Sequence, residues 1–150
     1  MIGEGDKVPA HTLTLSDGST HDLAGQGATV LYFYPKDDTS GCTSEAQQFT
    51  ELAPDFAKAG ATIVGVSRDP MKKHEKFIAK YDLKIPLASD EDGALSEAFG
   101  TWIEKSMYGR KYMGMERATF LIRDGQVVKA WRKVKVPGHA KDVLAAAEAL

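Results

Sequence analysis

The sequence predicts an α/β sandwich, a sheet with helices packed against it. Three observations carry that reading. Two apolar runs rich in β-branched and aromatic residues, Thr29–Tyr34 and Ala61–Ser67, have the length and continuity of buried parallel strands. Each is followed by apolar residues at helical spacing: Ala46, Phe49, Ala53, Phe56 and Ala57 after the first, Phe77, Ile78 and Tyr81 after the second. Two further runs, Arg117–Ile122 and Gln126–Trp131, flank the turn residues Asp124-Gly125 and read as a hairpin. Parallel strands joined through helices should connect by right-handed crossovers.

Taken in order, Thr12–Leu15 and Thr20–Leu23 flank Ser16-Asp17-Gly18-Ser19 and read as a short N-terminal hairpin; a loosely packed leading segment is the competing reading. His11 and His21 lie here without metal-ligand spacing and are read as surface residues. The first core strand stops at Pro35, and Lys36–Gly41 is built from turn and cap residues, with Thr39 and Ser40 the candidate N-caps of a helix. Pro54 should kink or break that helix near Ala53 and open a second short piece ending at Gly60. After the strand Ala61–Ser67, Asp69-Pro70 opens a helix over Met71–Tyr81. Ile85–Ala88 reads as a short strand in which Pro86 suggests a sheet edge or a strand end. Asp90-Glu91-Asp92-Gly93 lacks the other ligands of a calcium loop and reads as the acidic approach to a helix, Ala94–Phe99, ended by Gly100. Thr101–Glu116 has no clean period. It reads as a loop packed over the core, or as an apolar rim around a small pocket. Pro137-Gly138-His139 begins the last helix, with Val143, Leu144, Ala147 and Leu150 on one stripe and His139 a cap or surface residue.

Composition narrows the function. A chain of 150 residues is read as one domain, 1–150, large enough for a real core. A net charge of −2 leaves no footprint for nucleic acid. No apolar stretch has the length of a membrane span, and Met1–Asp6 lacks the pattern of a signal peptide. The single cysteine cannot form an internal disulfide, so a reducing, cytoplasmic location is the default expectation. No cofactor or metal site is expected.

That cysteine, Cys42, falls in the first turn of the helix that follows the first core strand. A helix N-terminus presents unpaired N–H groups and partial positive charge, and both favour a thiolate. Cysteines so placed can ionise at a pKa of roughly 3.5–7.5 instead of about 8.5. A lone cysteine can equally be a small buried apolar residue. The polar, glycine-containing loop before Cys42 argues against that bland reading, because such a loop is hard to bury.

Pro35, Thr39 and Cys42 form P-x-x-x-T-x-x-C, which resembles the active-site signature of the peroxiredoxins. The surrounding YFYPKDDTSGCTSEA is similar to the bacterioferritin-comigratory-protein, or Q-type, branch. The likeness continues through residues 60–70, 80–100 and 105–125, including R-A-T-F-L-I, and so covers nearly the whole chain. The resemblance implies a thioredoxin-like fold in its peroxiredoxin elaboration, with a central mixed sheet. It implies a peroxidase that reduces hydrogen peroxide and organic hydroperoxides through a Cys42 sulfenic acid. Arg117 matches the family's catalytic arginine. A guanidinium there can hold the thiolate and donate to the peroxide oxygens. Thr39 can bridge sulfur and peroxide through one hydroxyl, and Pro35 can shield the sulfur without adding a donor. Lys36 and Arg110 are further cations to which no role is given. Many relatives carry a resolving cysteine five residues on, where this chain has Gln47, and a proline where it has Ser40. The chain therefore resembles the one-cysteine members. An external thiol (thioredoxin, glutaredoxin or a small thiol) is the expected reductant, and a monomer or weak homodimer the expected assembly. Two other readings stand beside this one. Cys42 could serve a peroxide sensor or binding module without efficient turnover. It could also serve a Cys–His hydrolase, although none of the four histidines lies in a matching motif. The absence of C-x-x-C excludes a thioredoxin-type dithiol oxidoreductase.

Overall fold

The computed structural model describes all 150 residues. A short hairpin, β1 (Thr12–Thr14) and β2 (Thr20–Asp22), leads the chain, as expected. Then follow β3 (Ala28–Phe33), α1 (Ser40–Lys58), β4 (Ala61–Ser67), α2 (Met71–Tyr81), β5 (Leu87–Ser89) and α3 (Ala94–Ala98). A second hairpin, β6 (Trp102–Met107) and β7 (Arg110–Met115), precedes β8 (Ala118–Arg123), β9 (Gln126–Trp131) and α4 (His139–Glu148). The central sheet has the order β5-β4-β3-β8-β9. β3, β4 and β5 run parallel, while β8 and β9 are antiparallel, so the sheet is mixed and β5 is an edge, as Pro86 suggested.

The pleat of β3 divides the core in two. Val30, Tyr32 and Tyr34 point to the face covered by Phe49 and Phe56 of α1, Phe77 of α2 and Val143 of α4. Leu31 and Phe33 point to the other face, with Phe120, Phe99 and the N-terminal Leu13, Leu15 and Leu23. Gly65 in β4 is required by this packing. A Cβ there would lie 2.7 Å from the Tyr32 ring, well inside contact distance.

Four expectations fail for identifiable reasons. Pro54 does not break α1, which runs unbroken through it. The proline is exposed, and Phe56 beyond it is fully buried, so core packing outweighs one missing hydrogen bond. Thr101–Glu116 is the β6–β7 hairpin rather than a loop. Its turn, Tyr108-Gly109, has positive φ at both residues (51° and 77°), the primed geometry that joins twisted strands. His139 is buried, not a surface residue, and its Nε2 lies 2.7 Å from Thr119 Oγ1. Burial lowers the imidazole pKa to about 4. Leu150 falls beyond α4 and is 38% exposed, leaving Val143 and Ala147 as the buried stripe. A smaller difference is His21, which is half-buried against Thr29 rather than at the surface.

Candidate active site

β3 delivers the chain to the edge of the core, where residues 35–39 turn it into α1. Thr39 is the N-cap residue, in extended conformation, and Cys42 sits in the first helical turn. The expected cap bond is absent. Thr39 Oγ1 instead donates to the Lys36 carbonyl at 2.8 Å, which tightens the loop and leaves its oxygen lone pairs free to accept. Cys42 is 2% exposed.

Antiparallel pairing of Phe33 with Ala118 sets the start of β8 beside this loop. Arg117, the residue before β8, thereby reaches the sulfur: its Nη2 lies 3.4 Å from Cys42 Sγ and donates to it. Its Nη1 donates to Glu45 Oε1 at 2.7 Å. Glu45 is three residues after Cys42, on the same helix face. The guanidinium thus spans a thiol and a carboxylate presented by adjacent helical positions. Gly41 makes room for it, because a Cβ there would sit 3.1 Å from Nη2.

The electrostatics follow from burial. Glu45 is 1% exposed in its side chain, and burial raises its pKa to about 7 against the opposing pull of Arg117. Burial works against the Arg117 charge too, but Glu45 and Cys42 outweigh it and hold the guanidinium pKa above its ordinary value. Lys105 of β6 is a further, half-buried cation. Burial, then repulsion by Arg117, lowers its pKa, while Cys42 and Glu116 pull it back. Beneath the site, Tyr32 Oη, Thr43 Oγ1 and Glu45 Oε2 are buried without a hydrogen-bond partner.

Of the residues singled out in the sequence, the structure brings Cys42 and Arg117 into contact. Thr39 and Pro35 lie in the adjoining loop, exposed, and neither hydrogen-bonds the sulfur. Lys36 and Arg110 are exposed and Gln47 faces solvent. No histidine approaches Cys42 as a base. His21, His74 and His139 engage Thr29, Asp37 with Ala88, and Thr119 respectively, and His11 is exposed.

The AhpC/TSA family matches residues 4–131. Peroxiredoxin Bcp of Xanthomonas campestris is 52% identical over 150 residues, covering 95% of this chain and 94% of that protein. Peroxiredoxin Bcp of Bacillus subtilis is 45% identical over 143 residues, covering 93% and 91%. The chain belongs to the AhpC/TSA family, as a peroxiredoxin of the Bcp/PrxQ branch. Its thioredoxin-like fold is shared with a cysteine-to-serine mutant of Xylella fastidiosa PrxQ, at a TM-score of 0.92, 43% identity and coverage of 99% and 97%. The Xanthomonas campestris bacterioferritin comigratory protein, 50% identical with a TM-score of 0.88 and coverage of 96% and 98%, is described in trapped intermediate/ligand complexes bearing on its alkyl peroxide reduction activity. This peroxiredoxin is a thiol peroxidase, and it carries one cysteine. No helix is long and apolar enough to cross a membrane.

Sequence reasoning missed Glu45, Gly41 and Lys105. The signal for Glu45 was present, since a carboxylate three residues from a helical cysteine must share its face. Lys105 lies in β6 of a hairpin whose sequence has no clean period.

Proposed function

We propose that this peroxiredoxin reduces hydrogen peroxide and organic hydroperoxides at Cys42, and that an external thiol recycles it. The observation that carries the reading is the Arg117 Nη2 contact with Cys42 Sγ at a helix N-terminus. The cation donates to the sulfur directly and the helix N-terminus adds partial positive charge around it; both favour thiolate, and the cation can then share the charge that develops on the peroxide. The thiolate attacks the terminal oxygen of ROOH. The S–O bond forms, the O–O bond breaks, and the leaving alkoxide takes a proton to give ROH and Cys42 sulfenic acid. Arg117 stabilises thiolate and leaving oxygen, and Glu45 holds the guanidinium in place. Thr39, with its hydroxyl proton committed to Lys36, accepts from the peroxide O–H. Pro35 keeps a competing donor out of the loop.

A thiol R′SH then attacks the sulfenic sulfur, releasing water and leaving a mixed disulfide. A second thiol displaces R′SSR′ and returns the free cysteine. Gln47 cannot perform that first attack. Thioredoxin, glutaredoxin and a small thiol all meet the chemistry, and the protein acts in the cytoplasm as a monomer or weak homodimer. The absence of a histidine hydrogen-bonded to Cys42 weighs against a hydrolase. The test is Cys42→Ser. Thiol-dependent peroxide turnover should vanish while the circular dichroism spectrum stays native, and turnover retained in the folded variant would overturn the assignment.

A further inference from the structure

The chemistry proposed above makes opposite demands on Cys42. A peroxide needs the sulfur against Arg117. A reducing thiol must reach the sulfur of a residue that is 2% exposed, and the in-line approach of a second sulfur does not fit such burial. The loop 35–39 and the first turn of α1 must open for the second step and close for the first. We infer that Asp37, His74 and Tyr34 form a latch that sets this balance.

The three side chains are buried and mutually bonded. Asp37 Oδ2 lies 2.7 Å from His74 Nδ1, and Tyr34 Oη donates to Asp37 Oδ1 at 2.5 Å. The relative exposures of His74, Asp37 and Tyr34 are 0%, 3% and 1%. His74 Nε2 lies 2.9 Å from the Ala88 carbonyl, which can only accept, so Nε2 carries a proton. Nδ1 faces a carboxyl oxygen, so a second proton lies between ring and carboxyl. The pair is a short hydrogen bond sealed from water. It spans the loop before Cys42, through Asp37, and α2 with β5, through His74 and Ala88.

Further bonds run from the same loop to the same side. Asp69 Oδ2 accepts from the Asp37 N–H at 2.8 Å. Asp38 takes Lys80 Nζ at 2.8 Å and Tyr81 Oη at 2.7 Å, in the left-handed conformation (φ 60°) that aspartate tolerates. The exposed Lys80 pair contributes little, so the buried Asp37 pair carries the hold. None of these residues touches the sulfur. They are positioning residues.

When the closed form dominates, weakening the latch raises the open population in proportion and leaves the closed population almost unchanged. The signature is therefore a faster thiol step with a peroxide step that is unchanged or slower. A merely structural role would slow both. The experiment compares wild type, Asp37→Asn and the milder Tyr34→Phe, which keeps the ring in the core. Stopped flow follows oxidation of Cys42 by cumene hydroperoxide, then reduction of the sulfenic acid by dithiothreitol. The expected result is reduction faster by about tenfold in Tyr34→Phe and more in Asp37→Asn. Reduction unchanged or slower in a folded variant overturns the latch. Should neither variant fold, amide exchange in the wild type decides: residues 37–43 should exchange through an opening that spares β3, and protection equal to β3 overturns it. Because the latch rests on the peroxidase reading, wild type is measured first. A Cys42 that peroxide does not oxidise ends that reading, whereas normal wild-type cycling with unaltered variants removes the latch alone.

Discussion

Replacing Arg117 by methionine removes the cation and keeps most of the volume. In the wild type the guanidinium makes two contacts, 3.4 Å to Cys42 Sγ and 2.7 Å to Glu45 Oε1, with its side chain 17% exposed. A unit charge about 4 Å from another in such a half-buried place interacts by about 4 kcal/mol at an effective dielectric near 20. Only the part that grows between thiolate and transition state accelerates the reaction, and removing one such donor costs about 2.7–4 kcal/mol, or about 10²–10³ in rate. The loss of fold should be smaller than the 3–5 kcal/mol or so of an orphaned buried charge, because Glu45, already at a pKa of about 7, can take up a proton. The assay is single-turnover oxidation of Cys42 across a pH series, so that lost thiolate is separated from slower attack on the peroxide. A plateau rate within about threefold of wild type, less than 1 kcal/mol, would refute Arg117 as the stabiliser.

Other residues give equally definite outcomes. Glu45 is protonated more readily folded than unfolded, with a pKa of about 7 against an ordinary 4.5. Between those values the native state binds the extra proton, so stability falls as pH rises; 2.5 units correspond to about 3 kcal/mol. Glu45→Gln should flatten the difference in denaturant-unfolding free energy between pH 5 and 8, and an unaltered slope would contradict the assignment. Gly41→Ala should force the Arg117 fork back from a 3.1 Å approach and slow peroxide oxidation by about tenfold, with thermal stability nearly unchanged; wild-type kinetics would show that the fork has slack. Gln47→Cys should yield an internal disulfide only if the first turns of α1 unwind, because adjacent turns of an intact helix hold the two sulfurs apart. Absence of that disulfide on peptide mapping would mean that α1 stays wound during turnover.

The strand, turn and helix around Cys42 were legible because each announces itself locally, through a β-branched run, Pro35, a cap cluster and a helical period. So was the pairing of Arg117 with the site, through the motif it shares with a family. The β6–β7 hairpin was not, because most of its residues face solvent and it buries no face that would impose alternation. Only Tyr108-Gly109 marked it, and a tyrosine with positive φ is a poor cue. Pro54 misled because its effect depends on Phe56 and the core, not on its neighbours in sequence. His74 and His139 are buried because hydrogen-bond partners 37 and 20 residues away meet them, a fact no local pattern carries. The Arg117–Glu45 pair spans 72 residues and exists because β8 lies beside β3.

The central claim is that Cys42 alone takes the peroxide oxygen. One equivalent of hydrogen peroxide should be added to the reduced protein in the presence of dimedone, and the protein mapped by mass spectrometry. A single dimedone adduct on Cys42, with no disulfide and no oxygen on any of the five methionines, is the predicted result. Unmodified Cys42 beside oxidised methionine, or a disulfide-linked dimer as the dominant product, would contradict it.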